Sequence, residues 1–271
     1  MQNIAYQDSG SPFEDASILR NAVHFSTAQR AYSAQLVMQQ ALDEDSHQRI
    51  LDFLVVKAFE EFMSSTEDLL GWLFALQEWQ PGNNASSLFI LLDRIKVGKK
   101  DKKNDYTEKK AVSLLSNIDE EGFRKLCHIP QDDKLITSGM SEELVDNIKR
   151  TTPFKLAGWL KIATRRVEQS GSWVHMFNNL KHHMLAFPTQ ERSRDEVWIP
   201  TSIRLNKEEN KIVLERGWLE ADADYSQWLI SYAIVTQAVL HDTLALILIT
   251  RYGDTYSVPD WVIRAYRMAS I

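Results

Sequence analysis

The chain has 271 residues, of which 44% are hydrophobic and 25% charged, enough apolar material for a real core and too much for wholesale disorder. A formal net charge of −6 and a pI of about 5.7 remove any global electrostatic reason to bind nucleic acid, so such binding would need a local basic patch. The single cysteine, Cys127, excludes an intrachain disulfide and a zinc site built on several cysteines.

The segment Met1 to Ser11 is polar, with neither a basic start nor an apolar h-region. With the lone cysteine, this predicts a cytoplasmic protein. Ser11 and Pro12 then form an N-cap and N1 pair. Ile18, Ala22, Phe25, Tyr32 and Leu36 fall near a 3.6-residue period, so a first long helix is predicted from Phe13 to Leu42. Asp43, Glu44 and Asp45 make an acidic break. A second long helix is predicted from Ser46 to Trp79, closed by Pro81 and Gly82. Two long helices joined by a short turn predict an antiparallel pair, the usual start of a helical bundle.

A shorter helix is predicted at Ser86–Val97, followed by a basic loop from Lys96 to Lys110 with seven lysines against three acids. Lys99, Lys100, Lys102 and Lys103 are nearly consecutive, and they are the candidate phosphate-contacting patch; the plain alternative is a solvated loop. Short helices follow at about Glu108–Ile118, Glu120–Cys127 and Ser141–Lys149. Another begins at Thr152–Pro153 and runs to about Gln169, where Ser170, Gly171 and Ser172 break it. The next is predicted from Trp173 to about Leu185, ended by Pro188.

The period then changes from 3.6 to 2. Val197, Ile199, Thr201, Ile203 and Leu205 alternate with other residues, and Lys211 to Leu214 returns after a polar turn, so residues 196–216 are predicted as a β-hairpin. Asp222 or Asp224 caps a last long helix to about Arg251, and Pro259 opens a terminal helix from Asp260 to Met268. The stretch Trp228 to Ile249 approaches bilayer-spanning length, but Gln237, His241, Asp242 and Thr243 lie in its middle. An acid there costs roughly 2.5–3.5 kcal/mol on insertion scales, so the stretch is read as a buried helix and no membrane association is predicted. The fold class expected is mainly all-α: a bundle built on two long antiparallel helices, forming a single domain over residues 1–271, with the hairpin inserted late.

There is no Gly-rich phosphate loop, HExxH, GxSxG or EF-hand loop. The carboxylate pairs Glu60–Glu61 and Glu67–Asp68 are not followed by His three positions on, as a di-iron bundle would need. No metal and no cofactor are expected. The stretch Trp173 to Phe187 is the most informative one. At helical spacing Trp173, Phe177, Leu180 and Met184 form an apolar face, with His175 on its shoulder, while Asn178, Lys181 and His182 share the opposite face at i, i+3 and i+4. Imidazole can move a proton near neutral pH, an ammonium can neutralise charge on phosphate oxygens, and an amide can orient either. Asn178, Lys181 and His182 are therefore the candidate catalytic residues, against the plainer reading of a polar helix face. His241 next to Asp242 is read as a satisfied core histidine, because adjacent helical residues do not face each other. The eight tryptophans are read as core or interface residues, with Trp198 the one expected to be exposed.

The run Phe177-Asn178-Asn179-Leu180-Lys181-His182 resembles the Asn-x-x-Lys-His signature of bacterial relatives of the HEPN superfamily. The resemblance covers this short motif and a compatible helix order. It implies a helical bundle with two long helices and a late signature. In ribonuclease members that signature is an Arg, then a polar residue, then a His after an interval of four to six residues, acting without metal across a dimer interface. Many members lack catalysis and serve as partners in toxin–antitoxin, phage-defence or RNA-handling systems. No Arg precedes His182 or His183 at that interval, and Arg165 and Arg166 are too distant. Arg20-Asn21-Ala22-Val23-His24 is closer in composition, but three residues separate its ends, one fewer than the family interval.

The resemblance thus implies a non-catalytic relative with RNA or a protein as partner, and a homodimer. Two other classes stay open at this point: a structural or regulatory protein-binding bundle, and an enzyme. The enzyme would be a metal-independent ribonuclease using Lys181 and His182, or less readily a small-molecule enzyme with a pocket between helices.

Overall fold

The computed structural model describes residues 12–41, 48–79, 121, 142, 166–167, 171–183, 186–188, 196–206, 210–252 and 259–269. Helices hold 77% of them. In chain order the elements are α1 (Pro12–Asn21), a π-helical segment (Ala22–Thr27), α2 (Ala28–Ala41), α3 (Gln48–Glu78), β1 (Arg166–Val167), β2 (Gly171–Ser172), α4 (Trp173–His183), β3 (Phe187–Pro188), β4 (Glu196–Asn206), β5 (Lys211–Glu220), α5 (Ala223–Tyr252) and α6 (Asp260–Ala269). The two long helical stretches expected are both present, the first as the continuous run α1–π–α2, but its buried face holds Leu19, Val23, Ala31 and Ala34, while Tyr32 and Leu36 of the expected stripe are exposed. The antiparallel hairpin expected of the two stretches depends on a turn that lies outside the described residues. So do the basic loop, Cys127 and the helices expected between Ser86 and Lys149, apart from Glu121 and Glu142, which are helical.

The chain divides into two compact units, and α3 and α5 each contribute to both. The first comprises Met1–Ala28, Asp68–Pro153 and Val239–Pro259. Its buried residues include Leu19 and Val23, Leu69, Leu73, Leu76 and Trp79 from α3, and Leu244, Ala245, Ile247 and Leu248 from α5. Fully burying a side chain of this kind contributes about 1.5–3 kcal/mol each. In the π segment the Thr27 hydroxyl donates to the Val23 carbonyl, and both residues are buried. A hydroxyl bonded back one turn satisfies itself without water, which makes a buried threonine tolerable there.

The second unit comprises Gln29–Glu67, Phe154–Ala238 and Asp260–Ile271. Asp222 caps α5: its Oδ1 accepts from the Tyr225 amide at 2.7 Å, and its carbonyl accepts from the Ser226 hydroxyl at 2.8 Å. This settles the cap on Asp222 rather than Asp224. From Ala233 to Ala245 every side chain of α5 is buried, which explains its lack of a polar stripe. Among the described residues no helix is long and apolar enough to cross a membrane.

The β-structure is larger than a two-stranded hairpin. β4 and β5 pair antiparallel from Glu196↔Glu220 to Asn206↔Lys211, with a bulge between Pro200 and Ser202, and β3 adds a third strand through Phe187↔Trp198 and Pro188↔Val197. β5 continues past the expected Leu214 because Gly217 and Leu219 keep the alternation on the buried face. Asn210 opens the return strand at φ 50°, a left-handed conformation that asparagine tolerates. Of the helix expected from Thr152 to Gln169, only Arg166 and Val167 fall within the described residues, and they are not helical. They form β1, paired antiparallel to Ser172 and Gly171 of β2.

Candidate functional site

The candidate residues ride on α4, whose position follows from its apolar side. Met176, Phe177 and Leu180 are buried, at spacings of one, three and four residues that define one helical face. Trp173 meets Phe59 edge-on with centroids 5.6 Å apart, and Phe62 at 5.9 Å, which fixes the start of α4 against α3. Met176 faces the sheet at Gly217. A Cβ there would lie 2.9 Å from Met176 Cγ and closer still to Sδ, so the missing side chain lets helix and sheet approach. Asn179, at the edge of this face, donates from Nδ2 to the Pro200 carbonyl at 2.6 Å, next to the β4 bulge. Pro200 ends the regular pairing, and Asn179 takes its carbonyl.

The opposite face is exposed and carries Asn178, Lys181 and His182 together, as the spacing predicted. His175 is exposed too, rather than on the apolar shoulder; at i and i+3 from Asn178 it extends the same polar face. Lys181 is the best-defined member. Its Nζ lies 2.8 Å from Oε2 of Glu67 on α3 and 5.1 Å from the centroid of the Phe177 ring. The lysine and glutamate side chains are 47% and 38% exposed, so water screens the pair and it contributes about 0–1 kcal/mol. The carboxylate nevertheless sets a toll on any second anion that approaches the ammonium. Glu67 and Asn179 are the two residues that sequence reasoning missed. Glu67 is separated from Lys181 by 114 positions, beyond any local signal, and Asn179 was only the second half of an Asn-Asn pair.

This arrangement presents donors on an open surface. A phosphate or a polar partner can be met by the Asn178 amide, the Lys181 ammonium and a His182 nitrogen without entering a cavity. The alternative pair, Arg20 and His24, is split by the change from α1 to the π segment. Arg20 is exposed, and the His24 side chain lies outside the described ones, as do Lys99, Lys100, Lys102 and Lys103.

A further polar cluster joins α2 to α3. Ser33 donates to Glu61 Oε1 at 2.9 Å, and Arg30 lies 3.7 Å from Glu61 Oε2. In the first unit, His241 Nδ1 is 3.1 Å from Asp242 Oδ1, with both residues fully buried. The expected geometry is corrected here: these two sequence neighbours meet, although adjacent helical residues project from different sides of a helix. The pair lies wholly within the core, with the Asp242 carboxylate against Nδ1 of the ring. Trp198, expected to be exposed, is half-buried. Phe187 stacks on it at 4.3 Å, and the Arg216 guanidinium lies over its ring at 5.3 Å and over that of Trp218 at 4.7 Å.

No protein-family model, curated protein or solved structure matches this chain.

Proposed function

We propose that this protein is a HEPN-like helical bundle that associates with RNA through the polar face of α4 and does not cleave it. The observation that carries this reading is the exposed set Asn178, Lys181 and His182 on a helix anchored by Trp173, Met176 and Asn179. A rigid helix presenting an amide, an ammonium and an imidazole suits phosphate and 2′-hydroxyl contacts. Two features argue for binding without catalysis. The chain lacks the arginine of the ribonuclease signature, and Lys181 already faces a carboxylate, which opposes stabilisation of a developing phosphorane charge. The two long helices of such a bundle correspond, on this reading, to α1–α2 and α3.

A second reading, a protein-binding bundle, has its own support. Tyr32 and Leu36 on α2 and Ile50 and Phe53 on α3 are exposed large apolar residues, with Phe53 at 75%. Exposed apolar side chains of this size are typical of protein contact surfaces when they cluster.

Incubation of labelled single-stranded RNA with the wild type and with His182→Ala, in EDTA, tests the proposal. Binding without cleavage by the wild type, weakened in the variant, is expected. Cleavage that disappears with His182→Ala would replace this reading by a metal-independent ribonuclease using Lys181 and His182. Absence of binding would overturn the RNA reading and leave the protein-binding bundle.

A further inference from the structure

β5 is the outer strand of its sheet among the described residues, since the order is β3-β4-β5. From Asn210 to Arg216 all its residues are exposed except Val213, which is half-buried. In a strand paired on one side, alternate N–H and C=O groups point outward, ready to pair with another chain. Proteins usually blunt such an edge with a bulge, a proline or shortness. β5 has ten residues, no proline and no register shift of its own partner sequence beyond the bulge at Thr201 on β4. Its exposed apolar residues are Ile212 at 73% and Leu214 at 40%, and Leu205, paired to Ile212 on β4, is 57% exposed.

The sequence of this edge is complementary to itself when reversed. Antiparallel pairing about Val213 sets Ile212 opposite Leu214 and Lys211 opposite Glu215, each pair occurring twice. Displacing the centre to Leu214 sets Ile212 against Arg216 and Val213 against Glu215. Displacing it to Ile212 sets Lys211 against Val213 and Leu214 against Asn210. Only the Val213 register puts apolar against apolar and opposite charges together, the combination that stabilises cross-strand neighbours.

We infer that the outer edge of β5 pairs antiparallel with the same strand of a second copy of this chain, about a two-fold axis through Val213. The axis stands perpendicular to the sheet, so both copies keep the same face, and Leu205, Ile212 and the second copy's Leu214 form one apolar row. The pairing joins two three-stranded sheets into one of six strands and is isologous, as a two-fold contact requires. A lysine on an edge strand commonly acts to prevent pairing. Here Glu215 lies where the Lys211 of a second copy falls, so the lysine becomes half of a pair. Both side chains are exposed, and their contacts within their own chain are cheaply exchanged.

This inference stands apart from RNA association: α4 meets β5 at Gly217, beyond the exposed edge, and none of the variants replaces Asn178, Lys181 or His182. An edge contact this short is smaller than the standard interface of roughly 1,200–2,000 Å², so the dimer is expected to be weak and to depend on concentration. Sedimentation velocity of the full chain, 31.3 kDa as a monomer, reads it directly. The wild type is expected to pass from monomer to dimer as concentration rises.

Lys211→Glu and Glu215→Lys each set like charges opposite one another twice, and each is expected to weaken the dimer about tenfold or more. The double variant K211E/E215K restores opposite pairs and the wild-type association. Mixing the two single variants restores it as well, now as a heterodimer, because one chain then carries two acids and the other two lysines. A wild type that stays monomeric throughout overturns the inference. So does a dimer that either single variant leaves intact, or one that neither the double variant nor the mixture recovers. Far-UV circular dichroism of each variant, expected to match the wild type, separates lost pairing from lost folding.

Discussion

Glu67→Gln is expected to tighten RNA binding, and the size of the effect follows from the exposure of the pair it breaks. In the unbound protein Lys181 Nζ lies 2.8 Å from Glu67 Oε2, and a phosphate that takes the ammonium must displace that carboxylate or share the ammonium with it. With the two side chains 47% and 38% exposed, the pair contributes about 0.2–1 kcal/mol rather than the several of a buried one. Removing that competition should raise affinity for single-stranded RNA by a factor of about 1.4–5. Lys181→Ala should lower affinity and also flatten its salt dependence, by about 0.7 in the slope of log K against log salt, the value of one single-strand phosphate contact. Fluorescence anisotropy of a labelled RNA at several salt concentrations measures both. In the Lys181→Ala background, Glu67→Gln should have almost no effect. If Glu67→Gln raises affinity equally in both backgrounds, the glutamate acts through the general negative charge of the protein, and the specific competition at Lys181 is refuted. Unchanged or weaker binding in the single variant refutes it too.

Three further outcomes test how the helix and its surroundings are held. Asn179→Ala should cost about 0.5–1.5 kcal/mol in denaturant unfolding through the lost bond to Pro200, and an unchanged midpoint would mean that this bond does not tie α4 to β4. Gly217→Val should destabilise by about 1–3 kcal/mol by overpacking against Met176, and Met176→Ala in the same chain should recover part of the loss; no recovery would place the strain elsewhere. Burial raises the Tyr225 hydroxyl above its ordinary pKa, with the Glu220 and Asp222 carboxylates adding to the effect. The fold therefore favours the neutral phenol. That contribution is complete below about pH 10, where the unfolded chain also keeps its proton, and is lost as the pH rises further. Tyr225→Phe should accordingly show a shallower alkaline fall in stability than the wild type, and parallel curves would contradict the assignment.

Periodicity showed which elements form, and it fixed the buried face only over part of their length. In α3 Leu54, Ala58, Phe62 and Leu69 are buried on one face while Ile50 and Phe53 near its start are exposed, and in β4 Val197 and Ile199 are buried while Leu205 at its far end is exposed. Local capping chemistry was legible to within two residues: Asp222 and Asp224 both stand before the apolar run, and the bond from the Tyr225 amide decides for Asp222. The extent of the sheet was not. β3 has two residues, too few for a period, and its identity comes from pairing with Trp198 and Val197. β1 was hidden because Arg166 and Val167 are compatible with a helix and become a strand only through β2, a tertiary preference that outweighs a weak local one. For the candidate site, spacing on one helix correctly gathered Asn178, Lys181 and His182. It was silent on Glu67, because an ion pair across 114 positions leaves no mark in local sequence. The buried contact between His241 and Asp242 shows the reverse failure: a rule about which helical residues share a face does not keep neighbouring side chains apart in a core.

Photo-crosslinking of single-stranded RNA to the wild-type protein, with the attached peptides mapped by mass spectrometry, is the most direct test of RNA association through α4. Crosslinks concentrated on the segment from Trp173 to His183, and lost when Asn178, Lys181 and His182 are all replaced by alanine, are expected. Crosslinks confined to other segments, or undiminished by the triple replacement, would contradict the assignment of this helix as the RNA-contacting surface.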